Sequence, residues 1–140
     1  MATLYANLYD LALDRPDTVA VAATEVGELV GFCYGHRWSW QEQTDEWSLD
    51  LAARLGGSAQ ELEGACTVQL LAVHPTLTRQ GLGFETLKRL LIASGSPVHW
   101  LLVAEAESPS RRLFRRMGFR PLGHGPQTAA GEPGLVLIHG

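Results

Sequence analysis

The sequence predicts a single mixed α/β domain spanning residues 1–140. Three observations carry this. Short apolar runs that suit strands alternate with amphipathic runs that suit helices. One unit, at 68–91, reads as strand, glycine loop, helix, and a second helix at 108–118 is bracketed by its own cap residues. A chain of 140 residues can bury one real hydrophobic core and is short for two domains. Composition agrees with a globular protein at 46% hydrophobic and 19% charged. No uninterrupted apolar run approaches the roughly 20 residues that a membrane-spanning helix needs.

The elements follow in order. Leu4, Leu8, Leu11 and Ala12 share a helical stripe with Tyr5 and Tyr9 beside it, and Arg15-Pro16-Asp17 ends the pattern, so a helix is expected over 2–14. Val19 to Ala23 and Leu29 to Gly35 are strand-like, joined by Glu25-Val26-Gly27-Glu28 as a hairpin. The segment 36–64 is long for a simple loop and contains Trp38, Trp40 and Trp47, with a helix from its cap Asp45 to Leu55, ended by Gly56-Gly57. Apolar residues at Val68 and from Leu70 to Val73 suit a strand buried on both faces, which Pro75 stops. From the glycines onward Phe84, Leu87, Leu90 and Leu91 recur at helical spacing, Lys88 and Arg89 lie opposite, and Ser94-Gly95-Ser96-Pro97 closes the helix. Val98 to Val103 is a further strand. Ser108 suits an N-cap, Pro109 the first helical position and Gly118 the left-handed residue that ends a helix. Two last strands, 119–123 and 135–139, flank a Gly/Pro-rich turn.

The segment 68–91 is also where chemistry is most legible. A helix N-terminus points its free N–H groups at the loop, Gly81 and Gly83 remove side chains that would hold an anion away, and Arg79 adds a positive charge. The pattern predicts a phosphate site, although glycines also serve tight turns and close helix packing. A P-loop would place Gly-Lys-Ser/Thr where Leu82-Gly83-Phe84 stands. A dinucleotide fingerprint would need a third small residue at Thr86 and an acidic ribose partner about twenty residues on; Glu105 and Glu107 are near that distance, but the mid-chain strand with its His74-Pro75 end argues against it.

Leu71-Ala72-Val73-His74-Pro75, five residues, Gly81-Leu82-Gly83 and then Leu87, Leu90 and Leu91 resemble the acetyl-CoA-binding motif of the GNAT superfamily of N-acetyltransferases. Ser108 to Phe119, a short helix ending in Gly-Phe, resembles that family's next motif, and the likeness covers roughly 19–123. The resemblance implies a GNAT-type central sheet, mixed and mostly antiparallel, flanked by helices, and acetyl-CoA-dependent transfer to an amine. It implies that backbone groups of Leu71 and Val73, beside Ala72, hold the pantetheine arm. The N–H groups of Arg79, Gln80, Gly81, Leu82, Gly83 and Phe84 would hold the pyrophosphate, with Ser110 and Phe114 of the second motif also at the cofactor. It places the 36–64 insertion near the acceptor site and implies no metal. The family's opening strand and helix are not found before Leu4: either the N-terminus is naturally short, which leaves a sheet edge for a partner subunit and makes a homodimer a reasonable expectation, or the start is truncated relative to relatives.

Catalytic groups are harder to assign. Relatives often place a proton-donating tyrosine where Phe114 stands, an asparagine at Glu107, an alanine at Ser110 and a glutamate base near Thr67. Glu105, Glu107 and His36 remain as bases; the carboxylates would need burial to raise their pKa, and a histidine at a strand end is commonly surface. Trp38 and Trp40 are candidates for an acceptor wall, with core packing the competing reading. Arg111, Arg112, Arg115 and Arg116 form a basic helix that either faces water or approaches the ribose 3′-phosphate of CoA.

Residues 1–64 hold eleven acidic and three basic residues, whereas 65–140 hold four and eight. That asymmetry would draw an anionic cofactor and a cationic acceptor to different faces. The net charge of −4 and the lack, apart from Phe114, of aromatics interleaved with the arginines argue against nucleic acid. Cys33 and Cys66 fall in apolar runs and are expected as buried thiols, with no metal role. The N-terminus lacks a basic and apolar leader, so a cytoplasmic location and no membrane partner are expected. The acceptor is expected to be a primary amine of a small molecule or peptide, and the competing reading is a non-catalytic acyl-CoA sensor.

Overall fold

A computed structural model of the chain describes residues 3–9, 18–73 and 81–140, with the side chains of all of these but Leu8, Tyr9, Leu70, Leu71 and Val73. The described residues form seven strands and three α-helices. They gather into two compact units, Met1–Arg37 with Thr67–Ser96, and Trp38–Cys66 with Pro97–Gly140.

The first unit contains β1 (Leu4–Tyr9), β2 (Val19–Glu25), β3 (Glu28–Arg37), most of β4 (Cys66–Val73) and the second α-helix in chain order, α2 (Leu82–Ala93). Its strands lie in the order β1-β2-β3-β4. β1 pairs antiparallel with β2 from Leu4↔Thr24 to Tyr9↔Val19. This corrects the helix expected over 2–14, and it gives the chain an opening strand where none was expected. The same residues satisfy both periods, since Tyr5, Asn7 and Tyr9 alternate with Leu4, Ala6 and Leu8. A short isolated helix is marginal, so the ladder with β2 decides. Residues 10–17, the rest of that expected helix, lie outside the described residues.

The β2–β3 hairpin turns through Val26 at φ 50° and Gly27 at φ 79°. Positive φ at both central residues is the primed geometry that matches strand twist. One face of β2 and β3 is covered by α2, which buries Leu82, Thr86, Leu87 and Leu90. Gly31 sets how closely the helix approaches. A Cβ there would lie 3.2 Å from Thr86 Oγ1 and 3.4 Å from the Ala23 Cβ. The Thr86 hydroxyl is satisfied inside the helix by donating to the Leu82 carbonyl at 2.7 Å.

The second unit contains α1 (Glu46–Leu55), β5 (His99–Ala104), α3 (Pro109–Met117), β6 (Arg120–Gly125) and β7 (Gly134–His139), with sheet order β5-β7-β6 and both pairings antiparallel. The segment after β3 is not an appendage. Trp38, Leu51, Leu55, Leu62 and Ala65 from it join Trp100, Val136 and Ile138 in one buried cluster. Trp38 packs edge-on against both Trp40 and Trp100, at centroid distances of 5.3 and 5.0 Å. His99, 2% exposed, faces His139, and burial together with that neighbour lowers its pKa to about 4. Cys33 and Cys66 are both buried, as their apolar settings predict, and neither forms a disulfide.

Candidate cofactor site

The glycine loop delivers a helix end that no side chain of the described residues caps. Gly81 adopts φ 72° and precedes Leu82, and the first helical hydrogen bond runs from the Glu85 N–H to the Gly81 carbonyl at 3.0 Å. The N–H groups of a helix's first turn have no acceptor within the helix. Glycine has no side chain to supply one, and the α2 start has no side-chain cap. A Cβ at Gly81 would meet no atom within 4 Å, so the turn is open on that side. The acidic residue of the first turn, Glu85, is tied to Arg89 at 3.0 Å.

The other two helices differ. The Asp45 carboxylate accepts from the Ser48 N–H at 3.1 Å to cap α1, and the Ser108 hydroxyl accepts from the Arg111 N–H at 3.1 Å to cap α3. Uncapped donors, positive dipole and missing side chain make the α2 start suited to a phosphate group. Leu82, Gly83 and Phe84 form its first turn. Arg79 and Gln80 lie outside the described residues. Leu71, Ala72 and Val73 are the last residues of β4, where Ala72 is exposed.

Ser110 and Phe114 belong to the second unit. Ser110 is exposed in the first turn of α3, while Phe114 is 6% exposed with its ring 5.8 Å from that of Phe119. Gly118 ends this helix at φ 104°, as its sequence position predicts. The arginines of α3 are partly occupied by its own unit. Arg111 donates to the Glu105 carbonyl, and Arg115 holds Glu107 at 3.2 Å.

The candidate bases fare unevenly. Desolvation pushes the Glu107 carboxyl up, but the hydrogen bonds and charge of Arg115 outweigh it and hold the group below its ordinary value. That is the wrong direction for a base near neutrality. Glu105 is exposed, with its N–H bonded to the Pro133 carbonyl at 2.9 Å. His36 has Nδ1 2.9 Å from the Arg37 carbonyl. Thr67 is 1% exposed and its hydroxyl accepts from Gln69 at 3.1 Å, so it is a buried hydroxyl without useful basicity.

Of the tryptophans, Trp38 is 4% exposed and belongs to the core of its unit. It cannot wall an open pocket in this arrangement. Trp40 is half-buried, with its indole N–H on the Ala59 carbonyl at 2.8 Å. The sequence reading missed Gly31 and Thr86, which seat α2. The available signal was a glycine inside an apolar strand and a threonine on the apolar stripe of a helix. Among the described residues no group of three or more His, Cys, Asp or Glu gathers to hold a metal, and no helix is long and apolar enough to cross a membrane.

The model of the acetyltransferase (GNAT) family matches residues 2–119. The chain belongs to the GNAT family. GNAT acetyltransferases are acetyl-CoA-dependent transferases, and the uncapped α2 start fits the phosphates of that cosubstrate. Solved GNAT structures share the fold. NAA60 of Arabidopsis thaliana in complex with acetyl-CoA superposes with a TM-score of 0.69 at 16% identity, covering 99% of this chain and 98% of that one. The same protein with a bisubstrate analogue gives 0.59 at 24% identity, covering 88% and 75%. The ribosomal-protein-S18-alanine N-acetyltransferase of Escherichia coli gives 0.65 at 16% identity, covering 98% and 92%. No curated protein matches the chain in sequence.

Proposed function

We propose that this GNAT domain transfers the acetyl group of acetyl-CoA directly to a primary amine of a small molecule or peptide. The observation that carries the reading is the α2 N-terminus, which among the three α-helix starts of the described residues is the one without a side-chain cap. Acetyl-CoA supplies the acyl group as a thioester, already activated toward an amine. This chain's part is to bind and orient it. The N–H groups of Leu82, Gly83 and Phe84 hold the pyrophosphate and the backbone of Leu71 and Val73 holds the pantetheine arm, the roles that the family motif assigns to these positions. Peptide acceptors gain support from the structural likeness to an S18-alanine N-acetyltransferase. We propose that the reaction takes place in the cytoplasm.

An acyl-CoA sensor is the second reading. It is favoured by Phe114, a buried ring without a proton to give, and by the buried hydroxyl at Thr67. Calorimetry with acetyl-CoA and CoA, followed by thiol release over a panel of small amines and N-terminal peptides, separates the two. Binding with turnover on at least one amine is expected. Binding without turnover on any amine transfers the assignment to the sensor, and no binding of either ligand defeats both.

A further inference from the structure

A cavity of about 310 Å³ lies between β1 and the flank of α2, lined by Asn7, Glu85, Lys88, Arg89 and Ile92. All five residues belong to the first unit. In that unit α2 packs over β2 and β3, while β1 and β4 are the outer strands, so the cavity is on the side of the helix away from the β4 residues expected at the cofactor. Its size stands at the lower end of small-molecule pockets.

The Arg89 guanidinium is held from two directions. Its Cζ lies 4.2 Å from the centroid of the Tyr5 ring, and its Nε donates to Glu85 Oε1 at 3.0 Å. Both anchors leave the Nη edge of the fork without an acceptor among the described residues. The Lys88 ammonium and the Asn7 carboxamide likewise have no partner among them. One acid against two bases leaves the lining with a net positive charge, and the acid is already tied to Arg89. Ile92, 70% exposed, adds an apolar wall.

We propose that this cavity binds a small organic carboxylate with a short apolar stem. The planar Nη edge of Arg89 matches the two carboxylate oxygens, Lys88 supplies a second positive charge and the Asn7 amide a further donor. Ile92 receives the stem. Because the guanidinium is fixed by Tyr5 and Glu85, binding costs little further side-chain ordering. The Glu85 carboxylate in the same lining disfavours an anion of higher charge. The site is separate from the α2 N-terminus and does not depend on acetyl transfer.

The test is an NMR titration of the whole chain with butyrate, with and without CoA, following the Arg89 Nε–H and Asn7 side-chain amide signals. Expected are saturable shifts of both signals whether or not CoA is present. Lys88→Gln and Arg89→Lys, each with an unchanged circular dichroism spectrum, should weaken butyrate at least about tenfold, the lysine at 89 because it keeps the charge but loses the fork. Butyramide and inorganic phosphate should each bind at least about tenfold more weakly than butyrate. No saturable shift overturns the proposal. Butyramide binding as well as butyrate overturns it too, since charge is then not read, and phosphate binding as well removes the carboxylate assignment. Loss of butyrate binding on adding CoA also overturns it, because the cavity would then belong to the cofactor site.

Discussion

The N-termini of α2 and α3 belong to the two sequence motifs that single this chain out, yet they are finished in opposite ways. α3 spends its own Ser108 hydroxyl on the Arg111 N–H, and Pro109 removes a further donor from the first turn. α2 begins at a left-handed glycine and has no side-chain cap. A cap contributes about 1 kcal/mol to a helix. Among the described α-helix starts, α2 is the one that lacks a side-chain cap, a local cost that a bound anion would offset. The difference teaches that the second motif is finished by its own side chains, whereas the first leaves its helix end open.

The largest expected effect comes from giving α2 the anion it lacks. Gly81→Asp places a carboxylate at the cap position, with left-handed φ that aspartate tolerates better than most residues. Acetyl-CoA affinity by calorimetry is expected to fall by at least about 100-fold, some 2.7 kcal/mol. Unchanged affinity would remove the phosphate role from this helix end. Next comes acid, which sharpens the comparison by leaving the α2 start untouched. The neutral His99 ring holds its folded pKa near 4, below the ordinary 6.5. The unfolded chain then takes up a proton that the native state refuses. Stability is full above about pH 6.5 and declines by roughly 2 to 3 kcal/mol as pH falls toward 4. Urea melts at intervals across that range check it, and His99→Gln should flatten the profile.

Ser108→Ala is the reciprocal of the first change. It is expected to lower stability by about 1 kcal/mol in urea melts while acetyl-CoA affinity moves less than about threefold. A loss of affinity matching that of Gly81→Asp would erase the distinction between the two helix ends. The smallest effect lies away from both. Val26, a β-branched residue at φ 50° and 78% exposed, sits where a primed turn favours asparagine. Val26→Asn is expected to raise the melting midpoint by a few degrees, about 0.5 to 1 kcal/mol, with cofactor affinity unchanged.

Much of this was legible from residue order because it is local. Asp45, Ser108, Pro109, Gly118 and the Gly81 helix start act through hydrogen bonds within one turn, and each stands where the sequence places it. The hairpin at Val26-Gly27 is local in the same sense. β1 was misread because Leu4 and Leu8 fit a helical stripe while Tyr5, Asn7 and Tyr9 fit a strand, and only the partner strand fifteen or so residues away breaks the tie. Trp38 presents the same difficulty in another form. Its alternation with Arg37 and Ser39 leaves core packing and a pocket wall both open, and its burial is decided by Trp100, Val136 and Ile138, which no local pattern reveals. Catalytic groups are least legible because a pKa is set by surroundings: Glu107 is governed by Arg115, eight positions away.

The segment 38–66 supplies much of the core of the second unit, and this bears on how the molecule can be made and cut. Neither unit is continuous in the chain: the polypeptide leaves the first at Arg37, returns to it at Thr67 and departs again after Ser96. During synthesis the first unit can finish once its last helix emerges, whereas the second must wait for β7, holding Leu51, Leu55 and Leu62 without their partners from Trp100 and Ile138 until then. Closing such long loops is slow relative to local turns. A single cut after Ser96 keeps all of the first unit in one fragment, still joined to 38–66, whereas no single cut yields a fragment that holds the whole second unit without splitting the first.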